Sequence, residues 1–310
     1  MGTLIAIFNS LPGAVAQGLI WGIMAIGVYI TYKILDIADL TVDGSMCTGG
    51  AVCVMLMLAG YPVEVAMLGA VIAGVLTGLV TGILHTWMGI PPILSGILTQ
   101  LALYSVNLKI MGKSNQALSY RNYDLAVSLQ YIRKMPIFEN TIFVIAIFVI
   151  VIIGLLYWFF GTEYGCAMRA TGSNHTMSRA QGINTNLKVV TALMLSNGLV
   201  ALSGALLAQY QGFADVQMGR GAIVIGLAAV IIGGALFGKI FKNFGLKLLG
   251  VALGSVVYYI VYQTVICVGL DPDLLKLLSS VVVAVFLAIP YWKAKLYKKN
   301  RRGGRVHAQN

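Results

Sequence analysis

Apolar runs as long as a bilayer is thick recur along this chain, and they restrict its fold more than any other feature. Thr141–Phe160 and Val189–Ala208 are two of them. Crossing roughly 30 Å of hydrocarbon takes about 20 helical residues at 1.5 Å each. Lipid offers no water to an open backbone, so a crossing segment must bond its own N–H and C=O groups, as a helix does. Runs are read at 12–34, 46–60, 63–86, 91–111, 138–160, 188–209, 222–238, 246–266 and 274–292. The second is short and Gly-rich, the pattern of a broken or re-entrant segment buried among other helices. The expected fold is all-α: a polytopic membrane protein with eight or nine transmembrane helices.

Composition agrees. Of 310 residues 59% are hydrophobic and 10% charged, against about 25% charged in soluble domains. The net charge of +11 sits between and after the apolar runs, which argues against nucleic acid as a partner and for a lipid bilayer. Lys and Arg accumulate on the cytoplasmic side. The tail 293–310 is basic, and alternation places 238–248, 161–188 and the 33–45 loop on its side. Fourteen of the 21 basic residues then lie inside. Residues 1–292 form one transmembrane domain, with a cytoplasmic loop at 161–187 and an external loop at 112–137. The external loop mixes Arg121, Asp124, Arg133 and Lys134 with tyrosines, which suits contact with an external protein.

Several patterns bear on chemistry. Ala66, Ala70, Gly74, Gly78 and Gly82 fall near one face of the third run. Small residues let helices approach closely in lipid, which suits a packing face or a helix beside a moving pathway. Gly233–Ile240 fits G-x-x-x-x-G-K, but Ile240 replaces the hydroxyl residue that would hold Mg²⁺, so ATP binding by this chain is not expected. The four cysteines, Cys47, Cys53, Cys166 and Cys267, have neither zinc nor disulfide-scaffold spacing. No metal site or catalytic residue is expected, and the chain is not read as an enzyme.

Asp36, Asp39 and Asp43 follow the first run. Carboxylates at membrane depth are costly and mark functional sites, which makes Asp39, Thr41 and Asp43 candidate pathway residues. At the interface, instead, Asp43 or Ser45 would cap the second run. No Asp or Glu falls deep within a clear span, which argues against a proton relay or sodium site. Uncharged polar residues do: Gln100, Tyr104 and Asn107 in the fourth run, Ser196, Asn197 and Gln209 in the sixth. Such groups need partners or a wet cavity, so Gln100, Asn107 and Asn197 join the candidate set.

The 161–187 loop is the most informative stretch. Ser173 can N-cap a short helix and Gly182 can end it in the left-handed conformation, giving about eight residues or roughly 12 Å. Ala170, Gly172, Asn174, Ala180, Gly182, Ile183 and Asn184 match a loop pattern of the permease subunits of ABC importers for branched-chain amino acids and ribose-type sugars. Leu202–Leu207, Gly226–Gly234 and Asp39–Gly44 resemble further segments of that family, in the family's order. Thr41–Ser45 is most similar to permeases of tryptophan/tyrosine importers. One residue more than the family motif stands in Asp39–Gly44.

The resemblance implies a translocation pathway for a small solute, an amino acid of aromatic type before a sugar or nucleoside. It implies that the loop couples to the ATPase through Gly172, Ser173, Asn174, Met177, Arg179, Gly182, Ile183 and Asn184. It further implies cytoplasmic ABC ATPase subunits carrying ATP and Mg, an external substrate-binding lipoprotein and a second permease copy as a homodimer in a bacterial cytoplasmic membrane. An ion-coupled secondary transporter is the alternative; it would need intramembrane carboxylates or paired interrupted helices.

Overall fold

A computed structural model describes residues 2–118, 123, 125–129 and 140–267, with isolated positions between 277 and 288. The run at 274–292 falls largely outside the described residues, and the tail 293–310 wholly so. The described chain is helical: α1 (Gly2–Tyr29), α2 (Val42–Leu58), α3 (Val63–Thr86), α4 (Pro92–Met111), α5 (Thr141–Gly161), α6 (Glu163–Ser173), α7 (His175–Ala180), α8 (Thr185–Gln211), α9 (Ala222–Phe237) and α10 (Phe244–Cys267). A two-stranded antiparallel ribbon, β1 (Asn115–Ala117) with β2 (Phe213–Asp215), joins the far ends of α4 and α8, Asn115 facing Asp215 and Ala117 facing Phe213. Among the described residues six helices are long and apolar enough to cross a membrane, and α2 and α9 are shorter apolar helices of 17 and 16 residues.

Eight of the nine expected runs thus appear as helices, with ends shifted by a few residues. The largest shift is at the start, where α1 runs through Pro12. A proline removes one backbone donor, and the rest of the helix continues around it.

Polarity runs opposite to that of a soluble bundle. In α1 and α8, 72% of the most apolar stretch is buried; in α5, the most apolar helix with a mean hydropathy of 3.0, only 22% is. The greasiest surface faces outward because lipid tails solvate it, and association is left to close packing and hydrogen bonds. Helix α3 shows the division on one cylinder. Leu68, Ile72, Leu76 and Val80 point out, while Ala66, Ala70, Gly74, Gly78 and Gly82 are buried. A Cβ at Gly74 or Gly78 would run into the backbone carbonyls of Asn197 and Leu193 of α8. The small-residue face is a packing face, and α3 lies antiparallel against α8.

Hydroxyls supply the remaining attachment. Ser203 and Ser196 of α8 donate to the carbonyls of Ile20 and Gly27 of α1, both at 2.8 Å, and Ser255 of α10 donates to Gly18 at 2.6 Å. Helices α2 and α8 approach as closely: a Cβ at Gly49 or Gly204 would strike the partner's Ala201 or Met46 carbonyl. The Gly-rich character of the second run serves this contact.

Gly78→Leu should therefore separate α3 from α8 and destabilise the protein by about 1–3 kcal/mol, the usual range for overpacking. Gly154→Leu, in the open space outside α5, should leave the thermal midpoint unchanged. Fluorescence-detected thermal unfolding in detergent compares the two, and equal midpoints would refute the packing assignment.

Candidate functional site

Two helices begin inside the protein. Helix α1 ends in a π-helical turn, Ile30–Ile34, and the chain then turns back through Asp36, whose φ of 58° is left-handed. Residues 37–40 re-enter the body before α2 starts. On the other side, residues 216–221 lead from β2 to α9, which starts beside the first turn of α2. A helix start leaves its first N–H groups unbonded, and at membrane depth these need partners within the chain.

Aspartates supply them. Asp39 is 2% exposed. Its Oδ1 accepts from the Thr41 N–H (2.9 Å), and its Oδ2 accepts from Nδ2 of Asn197 (2.7 Å). Asn197 in turn accepts from the Ser45 hydroxyl at 2.6 Å, and Ser45 Oγ lies 2.7 Å from Thr77 Oγ1. Thr41, Thr81 and Thr99 continue the cluster at 2.8 and 3.0 Å, so hydroxyls and one amide join α2, α3, α4 and α8 around a buried carboxylate.

Asp43 serves a different helix from the one expected. Its two oxygens accept from the N–H groups of Gly221 (2.9 Å) and Ile223 (3.0 Å), so Asp43 caps α9. Neither Asp43 nor Ser45 caps α2, where the Thr41 N–H is bonded by Asp39 and Ser45 belongs to the hydroxyl cluster. Asp39 is buried without being inside a span: it lies in the break between helices, outside every apolar run.

Beside the Asp43 cap lies a cavity of about 300 Å³ between α2, α4 and the 216–221 segment. Asp43, Cys47, Gln100, Tyr104, Asn107, Gln217 and Arg220 line it. The six candidate pathway residues thus divide: Asp39, Thr41 and Asn197 form the polar cluster, and Asp43, Gln100 and Asn107 the cavity wall. Asn107 is 1% exposed, and both ends of its amide are without a partner among the described residues. A buried amide left open costs about 1–3 kcal/mol, so this cavity is built at the expense of stability. Arg220 and Gln217 were not singled out in the sequence and carried no signal there; Tyr104 was, one helical turn from Gln100 and three residues before Asn107.

The loop residues form a second constellation. Helix α6 ends at Ser173, so Ser173 is not the N-cap of the short helix. Asn174 is: its Oδ1 accepts from the Met177 N–H at 3.0 Å. The helix has six residues, ends before Gly182 at φ 81°, and leaves Met177 59% exposed. The Ile183 N–H donates to the Ser178 carbonyl at 3.0 Å, and Asn184 caps α8 by accepting from Leu187 N–H at 3.2 Å. Arg179 ties α7 to the start of α8 through Thr185 Oγ1 (2.8 Å) and Asn186 Oδ1 (2.9 Å). Gly172 lies directly on the Ile34 carbonyl, with no room for a Cβ. Burial first, then Arg179 and His85, hold the His175 imidazole below its usual pKa, so Arg179 carries the charge of α7 at neutral pH. In the 112–137 loop, Arg121, Asp124, Arg133 and Lys134 lie outside the described residues.

A bundle of lipid-exposed helices around interrupted central ones, with a polar cavity at the interruption, is the architecture of a membrane transport protein. The comparisons specify which. The family described as "Branched-chain amino acid transport system / permease component" matches residues 11–289, and the chain belongs to that family. It is 39% identical over 294 residues to a tyrosine transport system permease protein of Clostridioides difficile, covering 95% of this chain and 96% of that one. An uncharacterized Rickettsia prowazekii protein is 34% identical, covering 90% and 97%. The autoinducer 2 import system permease of Salmonella typhimurium is 31% identical over 213 residues, covering 68% of this chain and 59% of that one.

Replacing Asp43 by Ala removes both acceptors from the start of α9 and should cost about 0.5–2 kcal/mol, as for a lost N-cap. Asp43→Asn keeps one oxygen and should fall between. The order wild type, Asn, Ala in thermal midpoint checks the cap; equal stability of all three would exclude it.

Proposed function

We propose that this chain is the translocation subunit of an ABC importer and passes an amino acid with an aromatic side chain across a bacterial cytoplasmic membrane. One observation carries the reading: the open Asn107 amide in the Asp43–Arg220 cavity. An amino acid zwitterion needs a cation, an acceptor and hydrogen-bonding groups close together, with an apolar surface for its side chain. Arg220 suits the carboxylate. Asn107 and Gln100 offer donors and acceptors, and Tyr104 and Leu101 offer ring and aliphatic surface. The similarity to a tyrosine transport system permease supports an aromatic amino acid over a sugar or nucleoside.

The basic loop 161–187 and the tail lie in the cytoplasm in this reading, and 112–137 faces an external binding protein. ATP and Mg belong to separate ATPase subunits, which receive α7 with Met177 outermost. A second permease copy covers the cavity mouth, because Arg220 and Tyr104 are exposed there and a charged group facing lipid is costly. The chain itself performs no catalysis.

Two variants test this in proteoliposomes holding the permease, its ATPase and its binding protein. Asn107→Leu removes an unpartnered amide without changing volume much, so folding should be retained or improved. Half-saturating substrate for tyrosine uptake should nevertheless rise, or the maximal rate fall, by about ten-fold, one good hydrogen bond's worth. A stabilised variant with normal uptake would remove the cavity from the pathway.

Met177→Glu leaves the capped helix intact and puts a charge on its exposed tip. Uptake and substrate-stimulated ATP hydrolysis should fall together by about ten-fold or more, as for an interface anchor, while thermal stability holds. Uptake driven by an ion gradient without the ATPase would overturn the importer reading as a whole.

A further inference from the structure

At the basic end of the bundle lies a pocket that the transport pathway does not use. Lys33 from the end of α1, Arg169 from α6, Lys242 from the α9–α10 turn and Lys247 from the first turn of α10 all line it. No acidic residue among the described residues joins them. The pocket measures about 530 Å³. Arg169 is held in place: its Nη2 donates to the Phe160 carbonyl at 2.5 Å, and its guanidinium lies 4.6 Å from the centre of the Phe244 ring. Four converging cations without a counter-charge repel one another, an arrangement that persists comfortably only with an anion among them.

A second cavity continues from this one. It has a volume of about 330 Å³ and shares Tyr29, Lys33 and Lys247 with the cationic pocket. Its walls are otherwise mostly apolar: Val230, Gly234, Phe237 and Phe241 from α9 and its end, with Gly250 and Val251 from α10. Gly234 and Gly250 make the groove. A Cβ at Gly234 would meet nothing within 4 Å, so that glycine serves no helix contact and leaves open space.

We propose that the two cavities together bind an anionic phospholipid, its phosphate among Lys33, Arg169, Lys242 and Lys247 and an acyl chain in the α9–α10 groove. The order of the parts carries the assignment. The apolar groove runs along membrane helices, where acyl chains lie. The cations sit where α1 and α9 end and α10 begins, the level of headgroups, and basic pockets between helix ends select anionic lipids. Lysine stems can line the apolar wall while their ammonium groups reach the headgroup. A soluble anion would use the cations and leave the groove unexplained. The pocket also includes Gly172 and Ser173, so the lipid would touch the last turn of α6, next to α7. The proposal is independent of the substrate and of the ATPase.

Native mass spectrometry of the full-length protein in detergent tests it, with phosphatidylglycerol, phosphatidylcholine of the same chains, and inorganic phosphate as probes. Phosphatidylglycerol should be retained in preference to phosphatidylcholine, and excess inorganic phosphate should not displace it. The triple variant Lys33→Gln, Lys242→Gln, Lys247→Gln should lose affinity on the order of 100-fold, from the usual contribution of each basic residue to anionic-lipid binding. Gly234→Leu should fill the groove and weaken phosphatidylglycerol binding with every cation intact. Both sets of changes are at open positions, and unchanged thermal unfolding in lipid-free detergent checks the fold. Equal retention of the two lipids, unaltered binding by either variant, or full displacement by phosphate would overturn the proposal. So would a photo-crosslinker at Phe241 that attaches to the chain's own 274–292 run in place of lipid.

Discussion

Open backbone inside a membrane has to be bonded by the chain itself, and this protein meets that requirement with two aspartates. The interruption after α1 leaves the Thr41 N–H to Asp39, and the late start of α9 leaves the Gly221 and Ile223 N–H groups to Asp43. A carboxylate suits a helix start in two ways: it accepts hydrogen bonds, and its charge complements the partial positive end of the helix. The same choice buries carboxyl oxygens in the middle of the molecule, where removing one partner would leave a buried polar group unsatisfied. The surrounding hydroxyls and the Asn197 amide follow from that need, as does the concentration of small residues in α2, α3 and α8 that lets the helices approach closely enough to supply them.

Close approach and polar bonding are therefore linked. Gly74 and Gly78 put the α3 backbone against α8, and this proximity sets Thr77 within reach of Ser45, itself bonded to Asn197. Gly44 performs the same service toward α4, where a Cβ would meet Leu103 at 2.9 Å. Larger residues at these positions would move the hydroxyls beyond bonding distance as well as overpack the helices. The cavity at Asn107 is the exception: nearly every buried polar group around it is paired, but that amide is open. Local disagreement with the rule that buried polar groups are bonded is expected at functional or strained sites.

The apolar runs and their lengths were legible in the sequence because a bilayer imposes one dimension on every crossing. The small-residue stripe of α3 was legible for a similar reason: helical periodicity alone puts five residues on one face. The loop was legible through local chemistry, and its one misplacement was local too. Ser173 and Asn174 are both good caps, and only the geometry of α6, which continues to Ser173, decides between them. What could not be read was pairing at a distance. Asp43 reaches residues 221 and 223, and Asp39 reaches Asn197; no spacing rule connects them. Arg220 carried no signal because its neighbours Asp43 and Asn107 come from two other helices. The pocket of Lys33, Arg169, Lys242 and Lys247 was likewise invisible as a unit, since positive charge at that end was expected from topology alone.

The placement of α8 shows how a push at the loop would reach the interior under the proposed function. Arg179 fastens the short helix α7 to Thr185 and Asn186, the first residues of α8. Midway along the same helix Asn197 holds Asp39 and Ser45, and farther on Ser203 and Tyr210 hold α1, the latter by donating to the Gly13 carbonyl at 3.2 Å. At the loop end, Gly172 of α6 rests on Ile34, where the chain leaves α1 and begins the interruption. Displacing α6 and α7 thus acts on both sides of the Asp39 cluster, on α8 through hydrogen bonds and on the α1 break through backbone contact. A helix transmits such a displacement along its axis because its own hydrogen bonds keep its length. The element free to change is the non-helical stretch of residues 36–41, whose conformation depends on the few bonds at Asp39 and Thr41. Motion applied at the loop is therefore expected to concentrate where α2 starts, in the turn that carries Asp43 and borders the cavity.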